Sequence, residues 1–250
     1  MKNELISSLP TPLAVPLASY DFGTEKDLRH LFTLVELSLM YVEYVLRAQS
    51  KDEEGLNRPE PMGARIRQIR MLCERLASRG QIPMITSWND RYFYEKLTLI
   101  VQTRNRWAHH QPDVTWKNNA DLLSDSYDSL LDALIPLTNT HLLVMKLSSS
   151  GQPECYLLQG TKALFEPLRY RTVELPSEVE EFSLFAHNNI GTVSLRPFLR
   201  YRQGAYGENR IEFLSTLRNG DATYIDPLPK SGNDAIVLSD RQCNHDPSTH

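Results

Sequence analysis

Residues 24–48 read TEKDLRHLFTLVELSLMYVEYVLRA. Within them Leu28, Leu31, Phe32, Val35, Leu39, Val42 and Leu46 recur at steps of three and four, the period of a helix with an apolar face. Thr24 and Asp27 stand at capping-box spacing, with Asp in place of the longer Glu or Gln. The helix is predicted to end near Ala48. Working outward from it, the polar stretch from Ser50 to Pro61 is a connection. A second helix follows, with Ile66, Ile69, Leu72, Cys73 and Leu76 on one side and Gly80 as its stop. A third begins between Ser87 and Asp90, turns Phe93, Leu97, Ile100 and Val101 inward, and runs to about His110. Pro112 disfavours helical geometry at Gln111 and marks its end. A fourth starts near Asn118, with Leu122, Leu123, Tyr127, Leu130, Leu131, Leu134 and Ile135 as its core face. Pro136 breaks or kinks it. Residues 138–147 are expected to continue as a fifth helix.

The pattern changes on both sides of this bundle. Residues 1–23 hold Pro10, Pro12 and Pro16 and are expected to form an irregular arm. Residues 148–153 (SSSGQP) read as a linker. Beyond it the period shifts towards two, with short strands expected at 156–158, 164–165, 183–185, 194–201, 210–217 and 222–225. Asn219-Gly220 between the last two is a hairpin signal. The expected architecture is α+β: a helical bundle of four or five helices over 24–147, then a small β-rich domain over 154–228 whose role the sequence does not name. The polar residues 229–250 are expected to be a disordered tail.

Composition narrows the function. The chain is 41% hydrophobic and 23% charged, with a formal net charge of −4. That balance is ordinary for a globular protein and argues against one that coats nucleic acid non-specifically, while leaving room for a local basic groove. The three cysteines, Cys73, Cys155 and Cys243, are too few and too scattered for a disulfide framework, and no C-x-x-C pair exists to hold zinc. No apolar run approaches the ~20 residues needed to cross a bilayer, and the N-terminus does not read as a signal peptide. A soluble, cytoplasmic protein with no membrane contact is expected. No phosphate-binding glycine loop, dinucleotide fingerprint or H-E-x-x-H motif is present, so no cofactor and no metal are expected.

The informative stretch is Arg104-Asn105-Arg106-Trp107-Ala108-His109-His110. Histidine exchanges protons near neutral pH, its reference pKa being ~6.5. Arginine offers a charged, planar fork to phosphate. Together they suit metal-free cleavage of RNA, where the ribose 2′-OH must lose a proton and charge grows on the phosphate. On an ideal helix a five-residue step sets Arg104 and His109 about 140° apart. Either fraying before Pro112 swings His109 inward, or a second copy completes the site.

This stretch resembles the signature of the HEPN family, an arginine followed by four to six residues and then a histidine. Here asparagine follows the arginine, alanine precedes the histidine, and the motif closes the third helix of a bundle. The resemblance covers residues 24–147. It implies an RNA-cleaving domain of prokaryotic defence or toxin systems, with Arg104, His109 and Asn105 catalytic, working as a homodimer whose two motifs face each other. His110 is the alternative histidine, and Arg106 and Trp107 are candidates to hold RNA by charge and stacking. Some toxin members carry a tyrosine two residues after the histidine, where an antitoxin modifies them. Gln111 stands there in this chain.

Three functions remain open on these residues: an endoribonuclease acting in phage defence or as a toxin; an inactive HEPN-like module that dimerises or docks on a partner; and a nucleic-acid-binding regulator. A partner protein or ligand at the β-rich part is compatible with each. Arg65, Arg67, Arg70, Arg75 and Arg79 are expected to form a solvated face rather than a phosphate track. Asp121, Asp125, Asp128 and Asp132 are expected to be solvated or to pair with those arginines. His30, His141, Trp88 and Trp116 are expected to be structural. Arg196, Arg200, Tyr201, Arg202 and Tyr206 are expected on the surface of strands.

Overall fold

The computed structural model describes residues 2–19, 25–108, 116–163, 167–170, 173–175, 179–203 and 209–226. Six helices lie N-terminal to eight strands among them. The helices are α1 (Lys2–Ser8), α2 (Thr11–Ala18), α3 (Glu25–Ser50), α4 (Met62–Ser78), α5 (Arg91–Ala108) and α6 (Trp116–Leu134), with short 3₁₀ turns at Ser87–Asn89 and Ile135–Asn139. The strands are β1 (His141–Leu147), β2 (Pro153–Leu157), β3 (Leu168–Arg169), β4 (Leu184–Asn188), β5 (Gly191–Ser194), β6 (Leu199–Gln203), β7 (Asn209–Arg218) and β8 (Asp221–Ile225). The fold is α+β, as the change of period implies.

α3 is the axis of the molecule. It packs against α2, α4, α5 and α6, and against β5. Of its expected apolar face, Leu31, Phe32, Val35, Leu39, Val42 and Leu46 are buried, but so are Leu34, Leu37, Met40, Tyr41, Tyr44 and Val45. A helix with neighbours all round is apolar all round.

The N-terminal arm is a correction. Residues 2–18 are mostly helical: Pro10 is the cap of α2 and Pro12 lies in its first turn, where a missing N–H breaks no bond, and Pro16 is accommodated inside the helix, where it is buried. Leu5, Leu9, Leu13 and Leu17 are all buried. The arm also meets the sheet: Thr11 N–H donates to the Leu158 carbonyl at 3.1 Å, and Gly160 N–H to the Leu9 carbonyl at 2.9 Å.

The expected fifth helix is a second correction. Residues 141–147 form β1, the middle strand of an antiparallel sheet ordered β3-β2-β1-β4-β5. Leu142, Leu143, Val144 and Met145 are buried in succession. Leu142 and Val144 join the main core, while Leu143 and Met145 join a smaller cluster with Phe185 on the other face. A short apolar run covered on both faces has no alternation and does not tell strand from helix. The expected linker at 148–153 is the turn between β1 and β2, closed by Ser148 N–H to the Gln152 carbonyl at 2.8 Å and opened by Gly151 at φ +75°. Helices and strands share one hydrophobic core.

The second sheet is antiparallel, in the order β6-β7-β8. Asn219 and Gly220 connect β7 to β8 at φ +51° and +88°, the left-handed pair that a two-residue hairpin of the right twist requires. Tyr44 Oη donates to the Leu214 carbonyl at 2.5 Å, and Leu217 N–H to the Leu56 carbonyl at 2.7 Å. These bonds hold β7 over α3 and over the segment leading into α4. The expected strand at 164–165 and the tail 229–250 lie outside the described residues. Among the described residues no helix is long and apolar enough to cross a membrane.

Candidate functional site

α5 carries the first part of the motif, Arg104 to Ala108, on its last turn. Leu97, Ile100 and Val101 bury its inner face, and Thr103 is also buried, its hydroxyl donating to the Leu99 carbonyl at 2.9 Å. One step on, Arg104 is half-buried, while Asn105 and Arg106 are exposed. Arg104 donates to Asn105 Oδ1 at 3.3 Å. Trp107 is half-buried against Phe32, with ring centroids 5.7 Å apart, and the Arg29 guanidinium lies 5.7 Å from its ring. Those contacts use the ring inside the fold, so packing accounts for Trp107 without RNA. His109, His110 and Gln111 lie outside the described residues.

Arg104 and Asn105 open into a cavity of about 140 Å³ between α3, α5 and the start of α4, roofed by Ser215 of β7 and Ile225 of β8. Two acids line it, Glu36 from α3 and Glu60 from the segment before α4. Glu36 was missed in the sequence. Its burial pushes its carboxyl pKa above the ordinary value, and the nearby charges of Arg104 and Arg65 only partly offset that. A signal was available: Glu36 and Glu43 interrupt an otherwise apolar run seven residues apart, which places them on one side of the helix.

Glu43 is the anchor of a buried ion network. It is fully buried and takes Arg47 Nε at 2.7 Å on one oxygen and Arg65 Nη1 at 2.5 Å on the other. Arg47 also reaches the Glu54 carbonyl at 2.8 Å, and Asp52 pairs with Arg75. The expected solvated arginine face of residues 65–79 is therefore corrected. Arg65 is buried and Arg75 is committed to Asp52, whereas Arg67 and Arg70 do face solvent. A guanidinium can be buried only where carboxylates and carbonyls replace its water, and α3 and the loop after it supply both.

The other charged residues follow ordinary surface logic. Asp128 and Asp132 are exposed, and Asp125 pairs with Lys96 of α5 rather than with an arginine of α4. Trp88 is fully buried, and its Nε1 donates to the Ala133 carbonyl at 2.9 Å. Arg200 and Arg202 share Glu212, Arg196 pairs with Glu180, and Tyr201 is buried. His141 packs in a ring cluster with Tyr170 and His187. Tyr206 and Cys243 lie outside the described residues. Among the described residues no group of three or more His, Cys, Asp and Glu side chains could hold a metal ion.

No family model, curated protein or solved structure matches the chain. The reading of the site accordingly stands on its own residues. Half-buried arginines are usually paired, and this chain pairs Arg47, Arg65 and Arg75 with carboxylates. Arg104 differs. Among the described residues it makes no ion pair, and it faces a cavity. Glu36 lines the same cavity, and burial disfavours its charged form.

Proposed function

We propose that the chain is a metal-independent endoribonuclease of the HEPN type, acting in phage defence or as a toxin, with Arg104 and His109 as the reacting pair. The observation that carries this reading is the half-buried Arg104, uncommitted to any carboxylate among the described residues, at the end of the helix that leads into His109. Asn105 supports it by holding the Arg104 fork at 3.3 Å.

In the reaction the ribose 2′-oxygen attacks the adjacent phosphorus as His109 accepts the 2′-OH proton. The bond from phosphorus to the 5′-oxygen breaks, and that oxygen takes a proton. The products are a 2′,3′-cyclic phosphate and a 5′-hydroxyl. Arg104 offsets the charge that grows on the non-bridging oxygens, an effect worth about 10²–10³-fold in rate for one well-placed donor. No step needs a metal ion.

The five-residue step between the two side chains favours a site completed by a second copy, with each motif opposite its twin. Mixing Arg104→Ala and His109→Ala proteins, each strongly impaired alone, and letting subunits exchange is expected to restore part of the cleavage, because heterodimers hold one intact arginine and one intact histidine. A wild-type protein that stays monomeric by light scattering and still cleaves at full rate would contradict the shared site.

A further inference from the structure

The cavity beside Arg104 is a built recess. At about 140 Å³ it lies below the roughly 300 Å³ at which pockets for drug-sized ligands begin. A compact group fits it. Its walls bring hydrogen-bond donors from two helices. From α5 come the Arg104 guanidinium and the Asn105 amide. From α4 comes the first turn itself.

The start of α4 is uncapped. Pro61 makes no side-chain cap bond, and the N–H groups of Ala64 and Arg65 donate to its carbonyl at 2.9 and 3.1 Å. Met62 and Gly63, ahead of those bonds, both line the cavity. A β-carbon added at Gly63 would meet nothing within 4 Å, so a ligand can come close to the backbone there. The amides and dipole of a helix N-terminus attract an anion. The independent observation is Glu36. It is largely buried, it lines the same cavity, and it makes no hydrogen bond or ion pair with a described residue. The charges of Arg104 and Arg65 act on it, and its carboxyl is left free to meet a ligand in the cavity.

We propose that this cavity is a subsite for one terminal phosphate group, with Arg104, Asn105 and the start of α4 as donors and Glu36 as the acid whose protonation opens it. The inference rests on the reading of Arg104 as a phosphate contact and adds the ligand's form and its control. Protonated, Glu36 donates its O–H to a phosphoryl oxygen. Ionised, it repels the same oxygen. The charged groups facing it are Arg104 from α5, Arg65 from α4, itself held by Glu43, and Glu60 from the preceding segment, whose charge opposes an anion. Ser215 and Ile225 add no charge. Because burial raises the Glu36 pKa, the open form persists to a higher pH than an ordinary carboxyl allows. The group held is the end of an RNA fragment carrying a phosphate, or free phosphate.

The test is a calorimetric titration with sulfate, whose charge is constant over the working range, as a function of pH. The wild-type protein is expected to lose affinity by about tenfold per pH unit above the Glu36 midpoint. Glu36→Gln keeps a donor and cannot ionise, so its affinity is expected to stay flat. Arg104→Ala is expected to bind at least tenfold more weakly at every pH. A short RNA with a 3′-phosphate competing with sulfate, where its 3′-hydroxyl form does not, assigns the RNA end as ligand; equal failure of both leaves free phosphate as the ligand. The same pH dependence in Glu36→Gln as in wild type overturns the role of Glu36, and absence of sulfate binding at all pH values overturns the subsite. RNA cleavage that persists without sulfate binding defeats this inference alone. Sulfate binding without RNA cleavage defeats the ribonuclease reading alone.

Discussion

Replacing His109 with alanine is expected to lower RNA cleavage by about 10²–10⁴-fold, the range of one general acid–base group. It is expected to leave the thermal midpoint unchanged. Arg104→Ala is expected to match it in direction, with a loss of about 10²–10³-fold. The two effects should not multiply in the double variant, since both groups serve one transition state. Cleavage and, in a toxic background, cell killing are the measurements. Activity retained in His109→Ala but lost in His110→Ala moves the role to the neighbouring histidine. Activity retained in both removes the mechanism.

The largest stability effect is expected at Glu43. Its carboxylate is fully buried and holds Arg47 and Arg65 at once. Glu43→Ala leaves two buried guanidinium groups without their shared counter-charge, and breaking such a pair costs about 3–5 kcal/mol. For a chain of this size that is a fall in thermal midpoint on the order of 10 °C. Glu43→Gln keeps the volume and one acceptor and is expected to fall between the two. The effect also reaches the cavity, because Arg65 lines it. A midpoint for Glu43→Ala within about 2 °C of wild type would show that the network is not a structural anchor.

What could be read from residues alone depended on period and on neighbours. α3, α4, α5 and α6 were legible because each has at least one face whose apolar residues repeat at helical spacing. The hairpin at Asn219-Gly220 was legible because those two residues tolerate the left-handed backbone it needs. β1 was not, because Leu142 to Met145 are covered on both sides and carry no alternation. The N-terminal helices were hidden by prolines: Pro10 and Pro12 occupy the cap and first turn of α2, where they break no bond, and Pro16 is tolerated inside it. In the site, Arg104 and Asn105 were legible from the motif. Glu36 was not, because a glutamate in a helix ordinarily marks the solvent side. Its spacing of seven from Glu43 was the one local hint, and the packing of α3 between the other helices and β5 is what turns it inward. Arg65 was misassigned for the same reason: nothing local shows that Glu43 lies beside it, 22 residues back in the chain.

The central claim is that the chain cuts RNA by its own side chains. The most direct measurement is incubation of the purified wild-type protein with total RNA in EDTA, followed by analysis of the new ends. The account predicts cleavage that leaves 2′,3′-cyclic phosphate, or its hydrolysis product, opposite a 5′-hydroxyl, and that disappears in His109→Ala. Cleavage that requires Mg²⁺ and leaves 5′-phosphate ends, or RNA left intact, would contradict it.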